Sequence, residues 1–427
     1  EACHARGIRV INDMVMNHSS VAHPWFTEAA AYLRTLPAGE EPDAAVCPTV
    51  DWYRFSREPQ KGYEPLPGTE WYYEARFWSG MPDFNLENPE VRQAFQEIAA
   101  FWLAHGCDGF RMDAVTSYET DDTEGSVAEL ARFAEDVHAL SPEAYIVGEA
   151  WADVATYARF YDSGIDSLFD FDFAGSEGAI AKAVRGNLKA DQFAQRIVDN
   201  EGLFAAHNPD YINAPFYTNH DMARSAGYYL KQGEACTKQA EGLNLLMGGN
   251  AFLYYGEELG MRGSGRDENK RAPMLWSNDP DAPGMCAGPP EMETIEHKCG
   301  SLAAQASDPE SIYQYVKRAI RLRNTFPAIA RGESRMVEAL SDERVCVLER
   351  RVLQEDSAAC GEAVILVINL DPEPRMLDLK ADPSTAAAEL AGMLTISPEE
   401  SVVETPERML QLPGRGIAIL QAAAEEQ

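Results

Sequence analysis

Three acidic residues follow apolar, strand-like runs and could perform nucleophilic and acid–base chemistry. Asp113 follows GFRM, Glu149 follows AYIVG, and Asp221 closes the run FYTNHD. Cleavage of a glycosidic bond needs two carboxyl groups beside the anomeric carbon, one ionised to attack and one protonated to assist the leaving group. The sequence therefore favours a glycosidase site in which Asp113 is the nucleophile and Glu149 is the proton donor.

The neighbours of these two acids suit different roles. Arg111 shares a strand face with Asp113 through the two-residue period of a strand, and its charge would keep a nearby carboxylate ionised. Trp151 closely follows Glu149, and a partly dry site would favour the protonated carboxyl that a general acid needs. The surroundings thus separate a nucleophile from a proton donor.

Two histidines extend the pattern. His220 precedes Asp221, and His18 ends the first strand-like run, so each could hydrogen-bond sugar hydroxyls while Asp221 grips the ring. Taken singly, an acid at a strand end is more often a helix cap or a loop ion pair, and a lone histidine is more often structural. Their joint placement at four strand ends favours a shared site.

Alternating amphipathic helices and short apolar strands must position these residues. In the clearest case Asn88 can cap a helix, Pro89 suits its first position and Gly106 ends it, just before the strand GFRM. Further strands are predicted within IRVINDMVMNH, AYIVGEAW, IDSLFDF, APFYTNHD and AFLYYGEELG. Repeated βα units whose strands end in polar residues are typical of an α/β fold, the (β/α)8 TIM barrel, which builds its site at that face.

Changes in this rhythm predict four segments. Residues 1–18 start the catalytic barrel and residues 81–329 form the rest of it. Residues 19–80 are irregular, aromatic and too long for an ordinary connection, which predicts an inserted domain over the barrel mouth. Residues 330–427 alternate in short strands without helices, which predicts a C-terminal antiparallel β-sandwich. The aromatic residues of the insertion either stack on sugars or form its own small core: Trp52, Tyr53, Trp71, Tyr72, Tyr73 and Trp78.

The overall charge restricts the partners. The chain has 36 Lys and Arg against 69 Asp and Glu, a formal net charge of −33, which repels nucleic acid and anionic lipid surfaces and fits a neutral substrate better. It has no apolar run long enough to span a bilayer. Eight scattered cysteines lack the short paired spacings of a zinc site, so they read as free thiols and favour a cytoplasmic over a secreted location. The oligomeric state stays open.

Four motifs carry a resemblance to a known family. DMVMNH, GFRMDA, VGEA and FYTNHD resemble, in this order, the four signature regions of the α-amylase superfamily, glycoside hydrolase family thirteen. The resemblance implies a retaining mechanism on an α-glucan substrate, with no cofactor needed for the chemistry. Asp113 would be the nucleophile, Glu149 the acid/base and Asp221 the transition-state stabiliser. It also implies substrate contacts from four residues: Asp13, His18, Arg111 and His220.

Two further stretches narrow the resemblance. MPDFN and YYGEELGMRGSGRDENKRAPMLW are similar to bacterial α-amylases intermediate between oligo-1,6-glucosidases and neopullulanases. In the family a small residue after the nucleophile accompanies α-1,4 cleavage, and Ala114 stands there. Many α-amylases carry a Lys-His pair where this chain has Thr116 and Ser117, which implies a different leaving-group subsite. The alternatives are an exo-acting α-glucosidase or oligo-1,6-glucosidase, a transglycosylase such as trehalose synthase, or a non-catalytic relative, which would be expected to lack one of the acids.

The resemblance also suggests a structural calcium ion. Asn17 stands where α-amylases hold calcium between the barrel and the inserted domain, and an Asn carbonyl oxygen is a suitable ligand. Asn17 is equally suited to hydrogen-bond the loop backbone, so both readings remain open.

The first strand-like run resembles the third barrel strand of the family. We therefore expect the first two barrel strands to be absent from this chain, which would leave strand edges and part of the core exposed. By itself the chain is then expected to be poorly soluble and inactive, whereas a full-length parent would be active. Robust starch hydrolysis by the purified 427-residue chain would contradict this expectation.

Overall fold

The computed structural model describes residues 1–353 and 359–421, which fall into two compact units. The first unit comprises residues 1–169 and 207–211, and the second comprises the described part of 170–206 and 212–427. No helix in these described ranges is both long and apolar enough to cross a membrane. All eight cysteines lie in the described ranges and are free thiols, as the sequence predicts.

A buried parallel sheet forms the centre of the first unit. Its strands are, in spatial order, Asn12–Met14, Gly109–Met112, Tyr145–Gly148 and Ser167–Phe169. Parallel strands that are covered on both faces read as apolar runs, and Phe110, Met112, Ile146 and Val147 are all fully buried. The sequence therefore placed these four strands correctly.

The helices of the first unit begin and end where capping residues allow. The side chain of Asn88 accepts a hydrogen bond from the N–H of Glu90, and Pro89 opens the helix, as predicted. In the last turn Trp102 is exposed and does not lie on the buried face of Val91 and Phe95. The helices of this unit are Pro24–Leu33, Pro89–Ala104, Thr123–Leu140 and Val154–Ala158, with 3-10 turns at His4–Arg6, Pro48–Trp52, Val115–Ser117 and Arg159–Ser163.

The predicted insertion has its own small core. The insertion contains helix Pro24–Leu33 and one antiparallel sheet. The sheet has three short strands, in the spatial order Phe55–Ser56, Tyr72–Glu74, Tyr63–Pro65. Phe26 contacts both Tyr53 and Tyr73 edge to face, with ring centroids 5.1 and 4.9 Å apart. Aromatic packing of this kind stabilises a segment too small for a large aliphatic core.

The second unit contains the last predicted barrel segments, but their strands are short. Ile212–Ala214 is a strand, and beyond it Phe216 and Phe252 form one parallel bridge. Pro215 interrupts the ladder because it has no N–H, although its carbonyl accepts a hydrogen bond from Phe252. The strand predicted within AFLYYGEELG is thus reduced to this bridge. The parallel strands of the described residues do not close into a barrel.

Seven helices and two 3-10 turns lie in the described part of the second unit before its C-terminal sheets. They are Ala179–Val184, Ala190–His207, Glu234–Leu245, Asp267–Lys270, Leu302–Gln305, Ile312–Thr325 and Pro327–Arg331, with 3-10 turns at Ser225–Gly227 and Glu257–Leu259.

Two antiparallel sheets follow at the C-terminal end of the second unit. The larger has the spatial order Glu389–Leu394, Ile417–Gln421, Ala363–Asn369, Val345–Arg351, Glu333–Met336, and the smaller has Arg375–Asp378, Met409–Leu412, Val403–Glu404. Short helical segments occupy Glu338–Leu340, Leu379–Ala381 and Pro383–Ala386. Val347 and Val367 of the larger sheet share an apolar cluster with Leu377 and Leu410 of the smaller one. This packing of two sheets agrees with the predicted antiparallel domain.

Two glutamates are buried in the helical part of the second unit. The hydroxyl of Ser225 donates to Glu241 at 3.3 Å and its N–H donates to Glu257 at 3.0 Å. Glu257 lies 3.6 Å from a guanidinium nitrogen of Arg224. Burial, reinforced by the negative charge of Glu257, raises the pKa of Glu241 well above its ordinary value. Burial therefore favours the protonated form of Glu241.

Glu241→Gln is expected to stabilise the protein more at high pH than at low pH. The folded state raises the pKa of Glu241, so the contribution of this group to stability is full below its unfolded pKa of about 4.3 and is lost as pH rises through the folded value. The glutamine variant cannot ionise. Its Tm relative to wild type should rise as the pH increases above about 5. Glu234→Gln, at the exposed start of the same helix, is the control, and a difference in Tm that is constant with pH would contradict the expectation.

Candidate active site

The register of the parallel sheet places two of the predicted acids side by side. Met112 pairs with Gly148, so Asp113 and Glu149 are the next residues of adjacent strands. The N–H of Glu149 donates to the carbonyl of Met112 at 2.9 Å, and the N–H of Asp113 donates to Met14 at 3.2 Å. These backbone bonds fix both acids at the carboxyl edge of the sheet, where parallel sheets carry their sites.

One guanidinium joins three carboxylates at this edge. Nη1 of Arg111 lies 2.7 Å from Asp13 and 2.7 Å from Asp113, and Nη2 lies 2.8 Å from Glu149. Burial alone would lower the pKa of Arg111, but the charge of Glu149 and the hydrogen bond and charge of Asp13 raise it above its ordinary value. Arg111 therefore stays charged and orders the three carboxylates around its planar fork.

Glu149 is buried, but not for the reason that the sequence suggested. Its residue exposure is 6%, whereas the exposure of Trp151 is 54%, so the tryptophan does not seal the acid from water. Nη2 of Arg111 lies 2.8 Å from Glu149, and a positive charge at this distance stabilises an ionised carboxylate.

Ala114 follows the candidate nucleophile in an uncommon backbone conformation. Its φ is 48°, in the left-handed region, and its N–H lies 3.4 Å from a carboxylate oxygen of Glu149. The carbonyl of Glu149 accepts the N–H of Val115 at 3.0 Å. The turn after Asp113 is thus tied to Glu149 at two points. Strained residues of this kind persist where the surrounding structure fixes them.

His18 and Tyr118 also lie close to Asp113. Burial lowers the pKa of His18, and the charge of Asp113 offsets part of this effect, so the imidazole is neutral at pH 7. Its ring meets Phe77 edge to face at 5.3 Å. The buried hydroxyl of Tyr118 makes no hydrogen bond within the described part of the chain. Tyr118 was missed from the sequence, although it stands only five residues after Asp113.

The third candidate acid lies in the second unit with its neighbouring histidine. The side-chain oxygen of Asn219 accepts the N–H groups of Asp221 and Met222 at 3.0 and 3.1 Å, which turns the chain after TNH. His220 Nε2 lies 3.2 Å from one oxygen of Asp221, and Arg271 lies 2.7 Å from the other. The sequence showed that His220 and Asp221 are neighbours, but it predicted neither their contact nor that with Arg271.

The predicted residues thus form two groups, one in each unit. In the first unit the structure brings together Asp13, His18, Arg111, Asp113 and Glu149. In the second unit it brings together His220 and Asp221.

The surroundings of Asn17 do not fit a calcium site. Its amide nitrogen lies 3.2 Å from one oxygen of Asp83, and the other oxygen of Asp83 accepts the N–H of Arg76 at 3.0 Å. Calcium needs six to eight oxygen ligands, and even the reversed amide would supply only one beside Asp83. Within the described ranges no three His, Cys, Asp or Glu side chains are grouped as metal ligands would be. The amide of Asn17 thus hydrogen-bonds the side chain of Asp83, and the calcium site stays a prediction.

Three of the six predicted aromatic residues belong to the core of the insertion. Tyr53, Trp71 and Tyr73 are buried, whereas the exposure of Trp78 is 59%. The benzo ring of Trp78 covers Gly80, because a Cβ built at Gly80 would lie 2.3 Å from it. Trp78 therefore follows Phe77 on an ordered loop and leaves an aromatic surface open to solvent.

Comparisons with known proteins agree on one family. The family profile described as alpha amylase, catalytic domain, matches residues 1–332. Alpha-amylase 3 of Dictyoglomus thermophilum is 31% identical over 375 residues, which is 86% of this chain and 69% of that protein. The trehalose synthase/amylase TreS of Mycobacterium tuberculosis is 28% identical over 480 residues, covering 100% of this chain and 77% of the relative.

Solved structures give the same answer. The Eubacterium rectale protein Amy13B superposes with a TM-score of 0.93 at 41% identity, over 99% of this chain and 80% of that one. An alpha-amylase from H. orenii superposes with a TM-score of 0.78 at 28% identity, over 99% and 82%.

Ala114→Val is expected to destabilise the protein by about 1–3 kcal/mol, because a β-branched side chain is strongly disfavoured at positive φ. Ala114→Gly is the matched control, since glycine adopts this conformation without strain. The measurement is the free energy of unfolding in urea. Equal stability of the valine and glycine variants would show that the turn adapts freely.

Proposed function

This chain belongs to the alpha-amylase family of glycoside hydrolases, whose fold is a (β/α)8 barrel, and we propose that it hydrolyses α-1,4-glucosidic bonds in starch, glycogen or maltooligosaccharides with retention of configuration. The observation that supports this most is the placement of Asp113 and Glu149 on adjacent strand ends around one guanidinium. Two carboxyl groups held side by side are what the double displacement of a retaining glycosidase requires.

The two acids act in sequence in this proposal. Glu149 gives a proton to the glycosidic oxygen while Asp113 attacks the anomeric carbon, so that the bond to the leaving sugar breaks and a covalent glycosyl–Asp113 ester forms. Glu149 then removes a proton from water, and the water oxygen displaces Asp113. Two inversions at the same carbon give retention.

The remaining residues take roles that the matching motifs assign to them. Asp221 stabilises the positive charge that develops on the sugar ring, and Arg111 keeps Asp113 oriented for attack. Asp13, His18 and His220 bind sugar hydroxyls. His18 suits this role because its neutral ring can donate or accept a hydrogen bond.

The second candidate function is the conversion of maltose to trehalose. It is favoured by the similarity to the trehalose synthase/amylase TreS, which extends over 100% of this chain. The hydrolase is the better proposal because Amy13B and Alpha-amylase 3 are the more similar to this chain, at 41% and 31% identity.

Product analysis distinguishes these functions. The protein, expressed from its complete reading frame, would be assayed on starch, pullulan, maltose and isomaltose, and on a maltoheptaoside blocked at its non-reducing end. We expect cleavage of starch and of the blocked substrate, with the new reducing ends initially in the α-configuration by NMR. Trehalose from maltose would instead support the transglycosylase, and release of isomaltose-derived glucose alone would support an oligo-1,6-glucosidase.

Variants of the two acids should separate their roles. Asp113→Asn is expected to lower kcat by at least about a thousandfold on every substrate, because no other carboxylate can form the ester. Glu149→Gln should be similarly slow on starch but should retain much of the first step on a maltosyl fluoride, whose leaving group needs no proton. Asp121→Asn, an exposed acid paired with Lys61, is the control and should stay at the wild-type rate. Equal losses for Glu149→Gln on both substrates would contradict the assignment.

The exposed aromatic loop should matter for long substrates. Trp78→Ala is expected to raise KM for maltoheptaose about threefold to tenfold with little change for maltotriose, since loss of one stacking contact costs roughly 0.5–1.5 kcal/mol. Trp102→Ala is the matched control because Trp102 is also exposed but lies on helix Pro89–Ala104. If the two variants had the same KM for maltoheptaose, Trp78 would not contact the glucan.

A further inference from the structure

Two consecutive basic residues hold the segment that carries Asp221. Nη2 of Arg271 lies 2.7 Å from Oδ1 of Asp221, and Nε of Arg271 donates to the carbonyl of His220 at 3.3 Å. Nζ of Lys270 donates to the carbonyl of Asp221 at 3.0 Å. Arg271 therefore contacts both the carboxylate and the preceding backbone, while Lys270 fixes the backbone at the acid itself.

The loop that supplies these cations is anchored in the protein interior. Arg224 is fully buried, with its guanidinium 4.5 and 4.7 Å from the ring centroids of Tyr254 and Tyr255. Its Nε donates to the carbonyl of Lys270 at 3.0 Å, and its backbone N–H donates to Gly263 at 2.9 Å. Arg224 stands three residues after Asp221. Its buried side chain therefore connects the segment that carries Asp221 to the segment that carries Lys270 and Arg271.

The geometry restricts how the carboxylate of Asp221 can rotate. Its two oxygens have different partners, Arg271 on Oδ1 and His220 on Oδ2 at 3.2 Å. Asp267 also contacts both cations, at 2.9 Å from Lys270 and 3.6 Å from Arg271. The positive charges of Lys270 and Arg271 thus interact with a second carboxylate besides that of Asp221. Asp221 therefore keeps the negative charge that it needs to stabilise a cation.

An isolated, half-exposed ion pair contributes little to stability. The contact of Arg271 with Asp221 differs from such a pair for two reasons. Arg271 and Lys270 together make three hydrogen bonds to His220 and Asp221. In addition, the buried side chain of Arg224 holds the backbone at Lys270. A group that stabilises a transition state must be held close to its productive position, and supporting contacts of this kind provide that.

We propose that Arg271 is a positioning residue for the reaction: it orients the carboxylate of Asp221, while Lys270 and Arg224 fix the backbone beneath it. This inference rests on the proposed function, in which Asp221 stabilises the charge on the sugar ring. Arg271 acts through Asp221 and does not itself take part in bond making.

A double-mutant cycle between Arg271 and Asp221 tests this. Arg271→Ala is expected to lower kcat on a chromogenic maltooligosaccharide about 10-fold to 100-fold, with KM within about twofold, because transition-state stabilisation is lost while ground-state binding is kept. Arg271→Lys should recover part of the rate. In the Asp221→Asn background, Arg271→Ala should cause no further loss, since residues that act as a unit are not additive.

The matched control is Arg266→Ala, in the same loop, whose guanidinium contacts Glu291 and not Asp221. It should keep the wild-type kcat and KM. Tm is measured for every variant, and Arg271→Ala should stay close to wild type because its side chain is 45% exposed.

The outcomes separate the two proposals. If the wild-type protein hydrolyses glucans but the losses from Arg271→Ala and Asp221→Asn multiply, Arg271 acts independently of Asp221 and this inference alone is wrong. A rise in KM with unchanged kcat would likewise make Arg271 a substrate-binding residue and overturn it. If the wild-type protein does not act on any α-glucan, the proposed function fails and takes this inference with it.

Discussion

The attraction between one buried guanidinium and three carboxylates determines how the first unit is built. Three acids brought to adjacent strand ends without Arg111 would repel one another and would lose hydration with nothing in return. The parallel register makes the arrangement possible, because Asp13 pairs directly with Arg111. Asp113 and Glu149 then follow on the next step of their strands. The fold and the charge pattern therefore constrain each other.

In the second unit, too, basic side chains stabilise a candidate acid, but they come from a different part of the chain. Asp221 lies near the surface, where water already screens it, and Arg271 and Lys270 come from a loop fifty residues later in the chain. The rigid part is Arg224, whose guanidinium packs against two tyrosine rings and whose side chain holds that loop by its backbone. The buried side chain of Arg224 thus holds in position the segment that carries the surface residues Lys270 and Arg271. In a chain with a net charge of −33, basic residues are outnumbered by acidic ones. Several of these basic residues nevertheless lie beside the acids of the candidate site.

Sequence reasoning found the features that depend on local pattern. The strands before Asp113 and Glu149 are apolar runs, and the cap at Asn88 has the expected residue types, so both could be predicted. It missed features that depend on distant contacts or on backbone angles. The contact of Arg271 with Asp221 joins residues fifty positions apart, and nothing in a run of letters shows the positive φ of Ala114. The sequence left two readings open for Asn17, because a single candidate ligand does not reveal the groups around it.

The left-handed turn at Ala114 has a consequence for how bond preference could change during evolution or in the laboratory. Its N–H and that of Val115 both donate to Glu149, so a β-branched residue that shifts this turn would also shift the acid on the next strand. A lineage that acquired a bulky residue here would need to rebuild the turn at Val115–Ser117 as well. Libraries that aim to redirect the enzyme to another linkage should therefore vary residues 114 to 117 together. A single bulky substitution at position 114 does not fit the left-handed backbone of this turn.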